Sequence, residues 1–321
     1  MTATQTSTKE QFLPVRTLFY PYSVCVLSLA FLLILKLLNY DFSRLPQQPG
    51  DIVILSFFLE LPHIVASHVL MADREYIDFY KTKLFLRYVV VCAILIATTY
   101  AFGIAAFYSI YFMWTVYHVL KQQVGIGRIM NRQASKLYEA WGYVLIVGSL
   151  VLAALIGYYD IELGQYRAWL LPTVFGFAGV ITVLAIVTCL QLKQLFGRWY
   201  VAANTGMYLS VLACIVLGAP FFVIFIPRII HDMTAYLLYI NHDANRNSSE
   251  KHNVLYREFW FLPAWGATLF VSITLASLVT FHVVPFAIQI GIGLTISHYI
   301  LESFVWRGTG IHRKSLRLRF T

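Results

Sequence analysis

Apolar runs separated by short polar segments repeat along the whole chain. Runs long enough to cross about 30 Å of hydrocarbon occupy residues 18–38, 51–71, 86–103, 104–121, 142–159, 168–192, 203–218, 220–242, 260–281 and 284–306. Their lengths suit helices rather than strands. The pattern predicts an all-α fold, a polytopic transmembrane helical bundle of about ten spans. Two boundaries fall inside nearly continuous apolar sequence, at Gly103 and at Gly218-Ala219-Pro220, where small residues and a proline interrupt the helical pattern.

Of the 321 residues, 59% are hydrophobic and 12% are charged, against about 25% charged in soluble domains. A water-soluble fold is excluded. The net charge of +9 does not point to nucleic acid, because Lys and Arg alternate loop by loop. Arg74, Lys81, Lys83 and Arg87 fall between two runs. The next boundary, at Gly103, has none, and the one after it has Lys121, Arg128, Arg132 and Lys136. By the positive-inside rule this places both termini in the cytoplasm. The whole chain, 1–321, then forms a single integral membrane domain with a polar N-terminus (1–17) and a basic tail (307–321), expected in a bacterial inner membrane. Cys25, Cys92, Cys189 and Cys214 lie at irregular spacing inside apolar runs, which suggests neither disulfides nor a thiolate metal site.

Ionisable groups at hydrocarbon depth cost several kcal/mol each unless they pair or bind something. Four spans carry them. The second has Glu60, His63 and His68, the fourth ends with His118 and Gln122, the eighth has His231, Asp232 and His242, and the tenth has His298 and Glu302. All four run in the same direction, so these groups can meet at one depth. Glu60 and His63 stand at i,i+3, and His298 and Glu302 at i,i+4, so each pair shares a helical face. Glu-x-x-His is also the spacing of di-iron carboxylate bundles. His63 and His68 lie roughly 140° apart around a helix, and His231 and His242 about 16 Å apart along one. Imidazole and carboxylate without thiolate suit iron, zinc, copper or manganese. Glu60, His63, His118, His231, His298 and Glu302 are the expected metal ligands. His68, Asp232, His242 and Gln122 are the next candidates, as ligands or as neighbours that orient them. His252, His282 and His312 fall in loops or at a membrane surface, where an ordinary solvated histidine is expected.

Leu61-Pro62-His63, Ile230-His231-Asp232, and the stretch from Ser297-His298-Tyr299-Ile300-Leu301-Glu302 to Trp306-Arg307 resemble segments of the bacterial β-carotene dioxygenase family, integral membrane iron enzymes. The resemblance covers a few dozen residues and implies that His63, His231 and His298 are iron ligands. This chain is longer, and its Tyr117-His118-Val119-Leu120-Lys121-Gln122 is not a motif of that family.

The expected function is that of a membrane metalloenzyme, an iron-dependent (di-iron) oxygenase or oxidase using dioxygen. Its substrate would be lipophilic and enter from the lipid bilayer: a carotenoid, a lipid or a fatty-acyl chain. The sequence does not identify an electron donor. The alternative is a proton- or cation-coupled transporter using the same His and Glu groups.

Overall fold

The computed structural model describes residues 11–45, 60–131, 135–157, 164–248, 252–259, 261–281, 283, 285–305 and 310–320. Residues 51–59 of the second predicted span, His282, Trp306 and Arg307 lie outside the described residues. The fold is all-α. A two-residue strand β1 (Leu13–Pro14) and a 3-10 turn lead into α1 (Ser23–Leu37). Then come α2 (Leu61–Leu70), α3 (Arg74–Phe102), α4 (Ile104–Asn131), α5 (Lys136–Gly157), α6 (Gly164–Gln191), α7 (Leu195–Val216) and α8 (Phe222–Arg246). The short α9 (Val254–Glu258) precedes α10 (Ala264–Thr280), α11 (Ala287–Val305), a 3-10 turn (Ile311–Ser315) and β2 (Leu318–Arg319).

Each predicted apolar run contains a helix, and the two breaks have a clear backbone cause. Gly103 and Gly218 adopt φ of 82° and 84°, a left-handed conformation that glycine reaches without a Cβ clash. At the end of α7, Gly218 N–H bonds Ile215 O and Ala219 N–H bonds Cys214 O, both at 2.9 Å, a double closure that ends the helix before Pro220.

Among the described residues, six helices are long and apolar enough to cross a membrane: Val15–Leu37, Arg74–Phe102, Lys136–Leu155, Ala168–Gln191, Leu195–Val216 and Phe222–Arg246. They turn large apolar side chains outward, such as Phe85, Leu86, Ile94 and Ile96 of α3 and Val183, Ile186 and Leu190 of α6. Polar groups including Gln123, Asn204, His231 and His298 are buried instead. This inverted distribution is compatible with an integral membrane protein. The helix α2, at ten residues, spans about 15 Å, half the hydrocarbon thickness.

Contacts divide the chain into two compact units, one of residues 1–18, 53–92 and 232–321, the other of residues 19–52 and 93–231. In the first, α2 packs against α10 and α11 around Val65, Val69, Val271 and Ala276. The Asn253 side chain accepts the Leu255 N–H and donates to Val69 O, fixing the start of α9. Strands β1 and β2 pair in parallel, Leu13 with Leu318 and Pro14 with Arg319.

In the second unit, α5 packs on α6 and α4, and α7 on α1, α4 and α6. Gln123 of α4 accepts hydrogen bonds from the Tyr22 and Tyr200 hydroxyls, and Trp141 Nε1 donates to Thr205 Oγ1 at 3.1 Å. Gly197 of α7 lies against Asn131 of α4, where an added Cβ would clash with the Asn131 side chain. Gly197→Ala should therefore lower stability by about 1–3 kcal/mol. Gly176→Ala, with nothing within 4 Å of the new methyl, should leave the thermal midpoint in detergent unchanged or slightly raised.

Candidate metal centre

The short helix α2 begins with Pro62 in its first turn, where a missing N–H costs nothing. It carries His63, Ser67 and His68 on successive turns. Helix α11 faces it with Ser297, His298 and Glu302, and the first unit's part of α8 brings Asp232 and Tyr239.

His63 and His298 meet edge to face, their ring centroids 4.7 Å apart and their planes at 88°. Their Nε2 atoms are 3.2 Å apart, and the side chains are 1% and 0% exposed. The other ring nitrogens fix the tautomers. His63 Nδ1 lies 2.8 Å from the Glu60 carbonyl oxygen and 3.0 Å from Asp232 Oδ1, both pure acceptors, so Nδ1 carries the proton. His298 Nδ1 lies 2.9 Å from Ser67 Oγ, whose own proton goes to Ile64 O at 2.6 Å. His298 Nδ1 must therefore be the donor. With Nδ1 protonated on both rings, the two Nε2 atoms offer lone pairs toward the same small volume, as two ligands of one ion would.

Glu302 stands one turn after His298, with Oε2 3.9 Å from His298 Nε2. The Tyr239 hydroxyl donates to Glu302 Oε1. In the second unit, His118 of α4 and His231 of α8 form another buried pair, with ring centroids 5.0 Å apart and planes at 76°. Their ligating atoms lie within 4.8 Å of each other. Gln122, one turn after His118, is buried as well. Buried imidazole and carboxylate groups thus form clusters that could hold a metal.

The structure separates the two histidines of α2. His68 Nδ1 donates to Ile64 O at 2.9 Å, and its Nε2 meets Ser297 Oγ at 2.8 Å. Tyr88 OH lies 2.5 Å from the same Ser297 oxygen. His68 therefore joins α2, α3 and α11, while His63 faces His298. Glu60 offers its backbone carbonyl to His63. His242 sits elsewhere, with Nδ1 on Asp243 at 2.8 Å and Nε2 on Tyr76 OH at 2.9 Å. Both of its nitrogens are engaged, and Asp243 is further held by Tyr256 at 2.5 Å and Thr268 at 2.8 Å.

Sequence reasoning missed Ser67, Tyr239 and His312. Ser67 lies at i+4 from His63, and Tyr239 lies seven residues after Asp232, hence on its face. Those spacings were readable, but serine and tyrosine are too common in apolar helices for spacing alone to single them out. The aromatic contacts that bury His312 come from the fold, and no local pattern marks them. The chain matches no protein-family model, no curated protein and no solved structure.

Proposed function

We propose that this chain is an integral membrane metalloenzyme, an iron-dependent oxidoreductase whose site holds one or two ions. On this reading it acts with dioxygen on a lipophilic substrate such as a carotenoid, a lipid or a fatty-acyl chain. The observation that carries the reading is the buried pair of His63 and His298, whose Nε2 atoms lie 3.2 Å apart. The donor set, imidazole and carboxylate without thiolate, favours iron among the metals such sites take. Bound iron would supply the electron transfer and Lewis acidity needed to use dioxygen.

The protein's own part is to orient and to dry the site. The Glu60 carbonyl holds the proton on His63 Nδ1, with the Asp232 carboxylate 3.0 Å away, and Ser67 does the same for His298. Partners of this kind set ligand direction and basicity. Tyr239 fixes one oxygen of Glu302, leaving the other toward His298. Val65, Val69, Val271 and Ala276 pack beside α2 and exclude water. A lipophilic substrate is supported by an apolar groove of about 420 Å³ on α4 and α5, lined by Ser109, Ile110, Met113, Trp114, Tyr117 and Leu150. Cytoplasmic termini are supported by the alternating basic loops and are consistent with the pairing of Leu13–Pro14 with Leu318–Arg319.

Two outcomes are expected. Protein purified in detergent from metal-replete cells should contain stoichiometric iron by plasma mass spectrometry, and His63→Ala and His298→Ala should each lose it while eluting as the wild type does. Wild-type protein without any transition metal would contradict the enzyme reading and favour the proton- or cation-coupled transporter. Tyr239→Phe should keep the fold and weaken iron binding about 10- to 100-fold in a competitive chelator titration. Unchanged affinity would remove Tyr239 from the site.

A further inference from the structure

Residues 310–320 lie in the first unit and are held at several points. Arg317 N–H donates to Asn241 Oδ1 at 2.8 Å, while Asn241 Nδ2 donates to Gln11 O at 2.8 Å. One buried amide of α8 thus clasps both ends of the chain. The β1–β2 pair follows directly.

Between α11 and β2 the segment buries His312 completely. Its ring stacks on Tyr76 with centroids 3.7 Å apart, on Tyr80 at 5.3 Å, and lies 5.4 Å from His242. Its Nδ1 reaches Tyr80 OH at 3.3 Å, and its Nε2 is buried without a hydrogen-bond partner. A buried imidazole nitrogen left without a partner has lost its water and gained no bond in return. Protonating it there would place a cation beside another histidine and an arginine.

We propose that the C-terminal segment Gly310–Phe320 is a strap that seats neutral His312 over the Tyr76–His242–Asp243 network and is released when His312 takes up a proton. The proposal is independent of any metal at His63 and His298.

The surroundings of His312 support that direction. From α3 it faces Tyr76 and Tyr80, with Asp73 and Glu75 turned to Arg246. From α8 it faces His242, whose Asp243 is already shared with Tyr256 and Thr268, and Arg246, which lies over the Tyr76 ring. The contact to α11 is through Phe304, which packs on Tyr80. On the strap itself, Arg313, Lys314 and Arg317 add only positive charge. Burial first, then His242 and Arg246, push His312 down to about 2. With the seated value below the free value of about 6.5, seating is fully favourable above that pH. It weakens about tenfold for each pH unit below it.

Hydrogen–deuterium exchange of the full chain in detergent tests this, with protection of residues 310–320 corrected for the intrinsic pH dependence of exchange. Protection should fall about tenfold between pH 7.5 and pH 5.5. In His312→Phe, which keeps an aromatic ring without a titrating nitrogen, the fall should disappear. Asn241→Ala should reduce protection at both pH values. Flat wild-type protection would overturn the strap by itself, whether or not the variants fold. A fall that persists in His312→Phe, or in His312→Tyr should the first variant aggregate, would also overturn it.

Discussion

Two buried imidazole rings whose Nε2 atoms lie 3.2 Å apart are the constraint on which the site depends. With the proton of each ring on Nδ1, two lone pairs at that separation would repel, the more so in a low-dielectric interior, and a cation held by both would remove the repulsion. The hydrogen bonds to the Glu60 carbonyl and Ser67, and Asp232 alongside His63, determine which nitrogens converge. Exchanging either tautomer would turn a pair of ligands into an ordinary hydrogen bond.

The fold supports this arrangement through α2, whose described residues number ten. Because α2 is packed against α10 and α11, its histidines sit against the buried face of α11, and Asn253 ties its last turn to α9. Nearby carboxylates are handled by assigned donors: Tyr239 for Glu302, and His242, Tyr256 and Thr268 for Asp243. A buried polar network of this kind holds its geometry only when its members are satisfied. His312, on the strap, also buries a ring nitrogen without a hydrogen-bond partner.

Much of the helical layout was legible in the sequence because apolar runs and their interruptions are local properties. Gly103 and Gly218 are good examples, since the same absence of a Cβ that marks a break in sequence permits the backbone conformation that makes one. The separation of His63 from His68 followed from helical geometry, as five residues do not return to one face. Less of the site was readable. The Glu60–His63 spacing suggested two side-chain ligands, and the structure adds a hydrogen bond between His63 and the Glu60 carbonyl. That bond depends on the backbone at the helix start. The burial of His312 was invisible for a related reason: its partners, Tyr76, Tyr80 and His242, lie far away in sequence. The tail around it reads as an ordinary basic, solvated end.

X-ray absorption at the iron edge of the purified protein tests the central claim most directly. The account predicts a first shell of nitrogen and oxygen at about 2.0–2.2 Å with outer-shell scattering from at least two imidazole rings, reduced in His298→Ala. A shell of oxygen alone, without imidazole scattering, would place the metal elsewhere and contradict the assignment of His63 and His298.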